Sequence, residues 1–209
     1  METTLRWTSA DLELLPDNGK HYEIIDGELF VSTAPHYEHQ NACGGVFRLL
    51  DEWSRQTRLG KTIFNPGVIF SDDNDVIPDV VWISRERRDQ ILAADGHFHG
   101  APELVVEVLS FTGSNEKRDR EAKLKLYSRR GVKEYWIVNW LLREVEIYRR
   151  KRLGLKLIAT LGASDDLTSP LLPGFSYQVR EIFEDYLAGD APRAVRNGSR
   201  NGNPRKSLK

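Results

Sequence analysis

Apolar positions along this chain follow two periods, and the switches between them mark its elements. Short apolar runs bounded by Gly, Pro, Asn or Asp predict strands at 22–25, 28–31, 61–64, 68–70, 76–83, 101–110, 132–138, 144–149 and 155–161. The first two flank Asp26-Gly27, the turn pair that best marks a hairpin. Pro78 is tolerable near the start of its strand, where no ladder donor is required. Helical spacing takes over at 35–57, where Val46, Leu49, Leu50 and Trp53 fall at i, i+3, i+4 and i+7. Further helices are predicted at 8–15, at 85–94, at 116–130 with Gly131 closing it, and at the end of the apolar chain within 177–186. Strands interspersed with helices place the chain in the α/β class.

Composition narrows this to one domain with a tail. A 209-residue chain with 40% hydrophobic and 29% charged residues has room for one full core. Residues 1–187 are expected to form it, and 188–209, poor in apolar residues, to be a disordered basic tail. The tail carries Arg193, Arg196, Arg200, Arg205, Lys206 and Lys209 against Asp190, a balance of +5 within a net charge of −1. Nucleic-acid attraction must therefore come from the tail or a local patch, not from the global field. The single Cys43 excludes a disulfide framework and a cysteine-rich zinc site within one chain, and suits a reducing cytosol. No apolar run approaches the roughly 18 to 20 residues of a membrane span, and no basic-then-apolar leader opens the sequence. A cytoplasmic location is expected.

The stretch 101–110 carries the chemistry. Its Val and Leu content is that of a strand covered on both faces, so Glu107 inside it requires a cation or good donors. Asp79 heads a strand that can lie beside this one, and Lys123 lies on the helix that follows. Asp, then Glu on a neighbouring strand, then Lys is the pattern of a metal-dependent phosphodiesterase. Glu103 is on the same strand face as Glu107 but ~13 Å away, too far to share an ion, and is expected to be solvated. Asp79, Glu107 and the main-chain carbonyl near Val108 would offer oxygens to Mg2+ or Mn2+. The position two residues after Glu107, where a lysine is normally expected, is Leu109. Lys123 falls within the arc of Leu124, Leu126 and Tyr127 and points inward, whereas Lys125 is turned roughly 160° from it.

Each residue also has a plainer use. Asp79 suits a turn cap beside Pro78, Glu107 suits an arginine partner such as Arg120, Lys123 suits a stem lying along the helix, and Glu23 suits an ordinary hairpin. His36-x-x-His39 with Cys43 has a zinc-like spacing, but a histidine pair at a helix start more often caps it. His97 and His99 belong to a loop, and Trp136 and Trp140 to the core.

Several of these segments together resemble the Uma-type restriction endonuclease family of the PD-(D/E)XK nuclease superfamily. They are 22–28 (YEIIDGE), Pro78-Asp79, 104–110 (LVVEVLS), Asp119 with Lys123 and Tyr127, and 131–138 (GVKEYWIV). The resemblance runs from about Tyr22 to Phe183. It implies a restriction-endonuclease-like mixed β-sheet flanked by α-helices, and Mg2+-dependent nuclease chemistry, for which DNA is the expected substrate. Its catalytic set would be Asp79, Glu107 and a displaced Lys123, with Glu23 as a further acid, in a homodimer. Asn139 stands where the family usually has Asp, and Phe111-Thr112-Gly113 replaces its usual Pro-Ser-Thr. The expected function is thus a metal-dependent endonuclease. The competing readings are a catalytically inactive nuclease-fold binding module and a hydrolase of small phosphoesters, which would need a closed pocket.

Overall fold

In a computed structural model of the chain, which describes residues 6–111 and 115–184, the apolar stretch 76–83 does not form one strand. In chain order the elements are α1 (Ser9–Leu12), β1 (His21–Ile25), β2 (Glu28–Ser32), α2 (Tyr37–Thr57), β3 (Gly60–Phe64), β4 (Val68–Ser71), β5 (Asn74–Val76), β6 (Val80–Ser84), α3 (Arg85–Ile91), β7 (Leu104–Val108), α4 (Asn115–Lys117), a π-helical turn (Arg118–Lys123), α5 (Leu124–Arg130), β8 (Glu134–Asn139), β9 (Glu144–Lys151), β10 (Gly154–Leu161), β11 (Asp166–Thr168), β12 (Ser176–Gln178) and a 3-10 turn (Val179–Phe183). Here β5 and β6 belong to different sheets. Pro78, which has no N–H to give a ladder, sits in the crossing between them. Asp79 therefore lies at the seam of the two sheets rather than within either.

One sheet is antiparallel, in the order β2-β1-β5-β4, and begins with the predicted Asp26-Gly27 hairpin. The other has six strands in the order β10-β9-β8-β7-β6-β3 and is mixed, because β7 and β8 run parallel while the remaining pairs are antiparallel. A parallel pair needs a long crossover, and the helical segment 115–130 supplies it. The mixed sheet flanked by helices is the predicted class.

Strand β7 is buried along its whole length, and its alternation divides the core. Leu104, Val106 and Val108 face α2, packing with Val46, Leu49, Leu50 and Trp53. Val105 packs on the opposite face with Leu126, Tyr127 and Tyr135, and Glu107 shares that face. Gly45 lets α2 approach the C-terminal 3-10 turn, since a Cβ there would lie 1.9 Å from the Ile182 carbonyl oxygen.

Other boundaries shift for local reasons. The helix expected at 85–94 ends at Ile91, because Leu92 pairs with Phe98 in an isolated bridge, and a second bridge ties Phe98 to Val68. The helix expected at 116–130 changes pitch midway. The small β11–β12 sheet has no counterpart among the predicted strands. The expected basic tail lies outside the described residues, as do Thr112 and Gly113 in the loop after Glu107.

Candidate active site

A cavity of about 170 Å³ opens where the two sheets, α2 and the π-helical turn meet, and Glu23, Asp79, Glu107 and Lys123 all line it. Each is delivered by a separate element. Glu23, inward on β1, accepts the Ile77 N–H at 2.9 Å and so fixes the crossing chain. Asp79, two residues on, accepts the Val108 N–H at 2.7 Å through Oδ2 and closes the end of β7. Its own carbonyl accepts the Asn65 N–H at 3.0 Å. Both carboxylates thus hold the seam through backbone donors.

Lys123 is 1% exposed and donates at 2.9 Å to Glu107 Oε1 and at 2.9 Å to Glu23 Oε1. Tyr127 donates its hydroxyl to the same Glu107 oxygen at 2.7 Å. Lys125 is exposed, as the helical phase requires. The π-helical turn brings Arg118 and Asp119 inward as well. Arg118 bridges Glu23 Oε2 at 3.2 Å and Asp119 Oδ1 at 3.1 Å, and the Tyr135 hydroxyl donates to the Asp119 carbonyl at 3.0 Å. A π turn widens the helix and is often found at functional sites. Here the wider turn places Arg118, Asp119 and Lys123, all buried, against one cavity.

Burial pushes the Glu107 carboxyl up to about 8; Asp79, Asp119 and Glu23 add to this, and Lys123 opposes it. The Glu23 carboxyl is also buried, but Lys123, Arg118 and the Ile77 N–H together hold it below its ordinary value. Asp79 is held low in the same way, its burial outweighed by His39, Lys123 and the Val108 N–H. Burial raises Asp119, and Glu23 and Asp79 raise it further against Lys123 and Arg118. Burial alone would lower His39, but Asp79 and the backbone of Val108 raise it. Acids whose environments push them apart are a mark of acid–base sites, though buried ion networks share it.

The donor set suits a hard cation. Asp79 and Glu107 supply carboxylate oxygens, and the bonds from Lys123 and Tyr127 both go to Glu107 Oε1 rather than Oε2. Among the described residues, Asn65 Oδ1 is a buried side-chain atom without a hydrogen-bond partner, and Asn65 lines this cavity. Its φ of +46° is a left-handed conformation that asparagine tolerates better than most residues. An orphaned acceptor beside carboxylates fits an ion that keeps bound waters, since those waters are donors.

The other expectations resolve individually. Glu103 is not solvated: it is buried and accepts the Ser84 hydroxyl at 2.8 Å and the Ser84 N–H at 3.2 Å, with Lys133 at 3.7 Å. Arg120 pairs with Glu116 and Glu146 and leaves Glu107 to Lys123. His36 caps α2, accepting the Glu38 N–H at 3.2 Å, and stacks on Trp140 with centroids 5.1 Å apart. His39 and Cys43 remain together, joined by Asp79 in place of His36, with ligating atoms all within 4.8 Å of one another. His97 and His99 pair with Asp95. Asn139 accepts the Leu141 and Leu142 N–H groups at 3.1 Å, a turn-forming use that needs no charge. Arg118 and Asn65 had no sequence signal, because a π turn and an orphaned oxygen have no periodicity of their own.

The family model described as "Uma2: Putative restriction endonuclease" matches residues 9–180, a span containing every residue of this cavity. The chain belongs to the Uma2 family. A crystal structure described as a putative nuclease belonging to DUF820, from Anabaena variabilis, is similar at a TM-score of 0.69 and 16% identity, over 84% of this chain and 97% of that one. At that identity the likeness concerns the fold, which is shared over nearly all of the Anabaena chain. No curated protein matches. Among the described residues no helix is long and apolar enough to cross a membrane. Uma2 membership places nuclease chemistry first among the functions to weigh against this cavity.

Proposed function

We propose that the protein is a metal-dependent endonuclease that hydrolyses phosphodiester bonds in DNA, with Asp79, Glu107, Lys123 and Glu23 as its working residues. The observation that carries this reading is the convergence of these four side chains from separate elements on one cavity, with Lys123 bonded to both glutamates. Asp79 and Glu107 would hold Mg2+ or Mn2+, with the Val108 carbonyl as a further oxygen. When bound, the ion supplies polarisation of the phosphate and a lower pKa for the attacking water.

The side chains have distinct tasks. An ammonium has three donors, and two of those on Lys123 are directed at Glu107 and Glu23. The third, with Asp119 Oδ1 3.9 Å from the nitrogen, can turn to the attacking water or a phosphate oxygen, where it offsets developing negative charge. Glu23, kept ionised by Arg118 and Lys123, holds that ammonium charged and in place. Tyr127 fixes the Glu107 carboxylate so that Oε2 faces away from the lysine bond. Asn65 Oδ1 accepts from a water on the cavity side and helps set its orientation. The homodimer that the family resemblance implies would place one such site on each strand of a duplex. A reducing cytoplasm suits the free thiol of Cys43.

The test is cleavage of supercoiled and linear DNA with Mg2+ or Mn2+ by the wild-type chain and by Glu107→Gln. Metal-dependent nicking or linearisation by the wild type and none by the variant is the expected result. Turnover of a small phosphodiester with no cleavage of DNA would move the assignment to a small-phosphoester hydrolase. DNA binding without cleavage in either metal would move it to a binding module.

A further inference from the structure

On α2, His39 and Cys43 are one helical turn apart, and their side chains meet with Nδ1 and Sγ 3.5 Å apart. On its other edge the His39 ring faces Asp79, with Nε2 and Oδ2 3.5 Å apart. An imidazole nitrogen, a thiol sulfur and a carboxylate oxygen thus lie within 4.8 Å of one another, the span of three corners of a coordination tetrahedron after small side-chain adjustments. His39 and Asp79 line the cavity, while Cys43 is fully buried behind them. Two of the three groups come from a 21-residue helix, so their spacing is fixed before any ion arrives. Nothing about a hard-cation site calls for a thiol here, because Asp79 and Glu107 already offer carboxylate oxygens to this cavity and Mg2+ avoids sulfur.

We infer that His39, Cys43 and Asp79 form a second cation site, selective for a thiophilic divalent ion such as Zn2+, which shares Asp79 with the hard-cation site. Three protein ligands leave the fourth position to a water from the cavity. The sulfur and imidazole give the site its preference, since soft and borderline donors favour Zn2+ over Mg2+. Sharing sets the consequence. Asp79 engaged with Zn2+ contributes less to the neighbouring hard cation, so Zn2+ antagonises Mg2+ or Mn2+ and acts as an inhibitor of the proposed nuclease. The inhibitory half rests on the nuclease reading, whereas the binding half does not.

The experiment titrates Co2+, a spectroscopic substitute for Zn2+, into the full chain under reducing conditions, and measures Mn2+ affinity separately by calorimetry. A thiolate-to-cobalt charge-transfer band saturating at one equivalent, displaced by Zn2+, is expected in the wild type. Cys43→Ala should remove the band, weaken Zn2+ binding at least about tenfold as expected for loss of one of three ligands, and leave Mn2+ affinity within about twofold. Glu107→Gln should keep the band while losing Mn2+. Circular dichroism on each variant shows whether it has folded, and Cys43→Val, which keeps an apolar side chain in the same core, is the replacement if Cys43→Ala has not. Absence of the band in the folded wild type, or its persistence without Cys43, overturns the inference whether or not the protein cleaves DNA. A band together with no Mn2+ binding leaves the thiol site standing and defeats the proposed nuclease site instead.

Discussion

Lys123 and Glu107 are 16 residues apart in the chain, yet the ammonium lies 2.9 Å from the carboxyl oxygen and both side chains are buried. Lys125, two residues on, reaches solvent. In Lys123→Met the stem remains and the charge is lost, so cleavage should fall by orders of magnitude while Lys125→Met cleaves as the wild type does. Stability should drop by only about 1 to 3 kcal/mol, below the cost of stranding a buried charge, because Glu107, raised to about 8, already holds a proton near neutral pH and Glu23 keeps Arg118. Single-turnover cleavage and urea unfolding check both halves. Equal cleavage losses at the two lysines would mean that the active site must be redrawn.

Asp79 and Glu107 are expected to be needed together for the ion, which requires their charge as well as their oxygens. Asp79→Asn and Glu107→Gln should each weaken Mn2+ binding by at least about tenfold and abolish cleavage. Asp79→Asn retains an oxygen for the Val108 N–H, so its circular dichroism should match the wild type. Calorimetry that finds unchanged Mn2+ affinity in both variants defeats the assignment.

The pH response follows from Glu107. Its carboxyl is raised from an ordinary 4.5 to about 8, so the folded chain retains a proton that the unfolded chain has lost across that window. The stability this contributes is complete below the unfolded value and is lost as pH rises through about 8. Glu107→Gln should flatten that decline in metal-free protein. Because an ion must displace the same proton, Mn2+ affinity should increase with pH by up to about tenfold per unit and level off above the Glu107 value. Calorimetry in buffers of different ionisation enthalpy counts the released proton directly; a count of zero near neutral pH contradicts a protonated Glu107.

Asn65 separates backbone strain from chemistry. Asn65→Gly keeps the positive φ without a Cβ but removes the orphaned Oδ1, whereas Asn65→Ala adds strain of about 1 to 2 kcal/mol. If Oδ1 orients a water, both variants should lose kcat with little change in KM for DNA, and only Asn65→Ala should lose melting temperature. Activity retained in Asn65→Gly would reduce the residue to a turn former.

The tail is expected to supply attraction rather than chemistry. Truncation after Tyr186 removes a segment of net charge +5, so nonspecific DNA affinity should fall. Its dependence on log salt should flatten by up to about 0.9 for each phosphate that the tail neutralises in the full chain. Mn2+ binding should not change. An identical salt slope in the truncated chain would show that the tail does not touch the nucleic acid.

The residues themselves determined the α/β class, the buried strand around Glu107 and the inward phase of Lys123. Each of these depends on local periodicity or on the cost of an unpaired charge, and both can be read along a chain. The seam could not be read there. Val76 and Val80 look like one strand in sequence, and only the packing of two sheets shows that Pro78 turns the chain between them and presents Asp79 to Val108. Glu23 likewise suits an ordinary hairpin as well as a site residue in sequence, and only the structure shows Arg118, Lys123 and the Ile77 N–H closing around it. The π-helical turn that gathers Arg118, Asp119 and Lys123, and the meeting of His39 and Cys43 with Asp79, depend on groups from distant elements competing for one volume. Such competition is decided by tertiary packing, because desolvation and charge pairing act over a few ångströms of space whatever the separation in sequence.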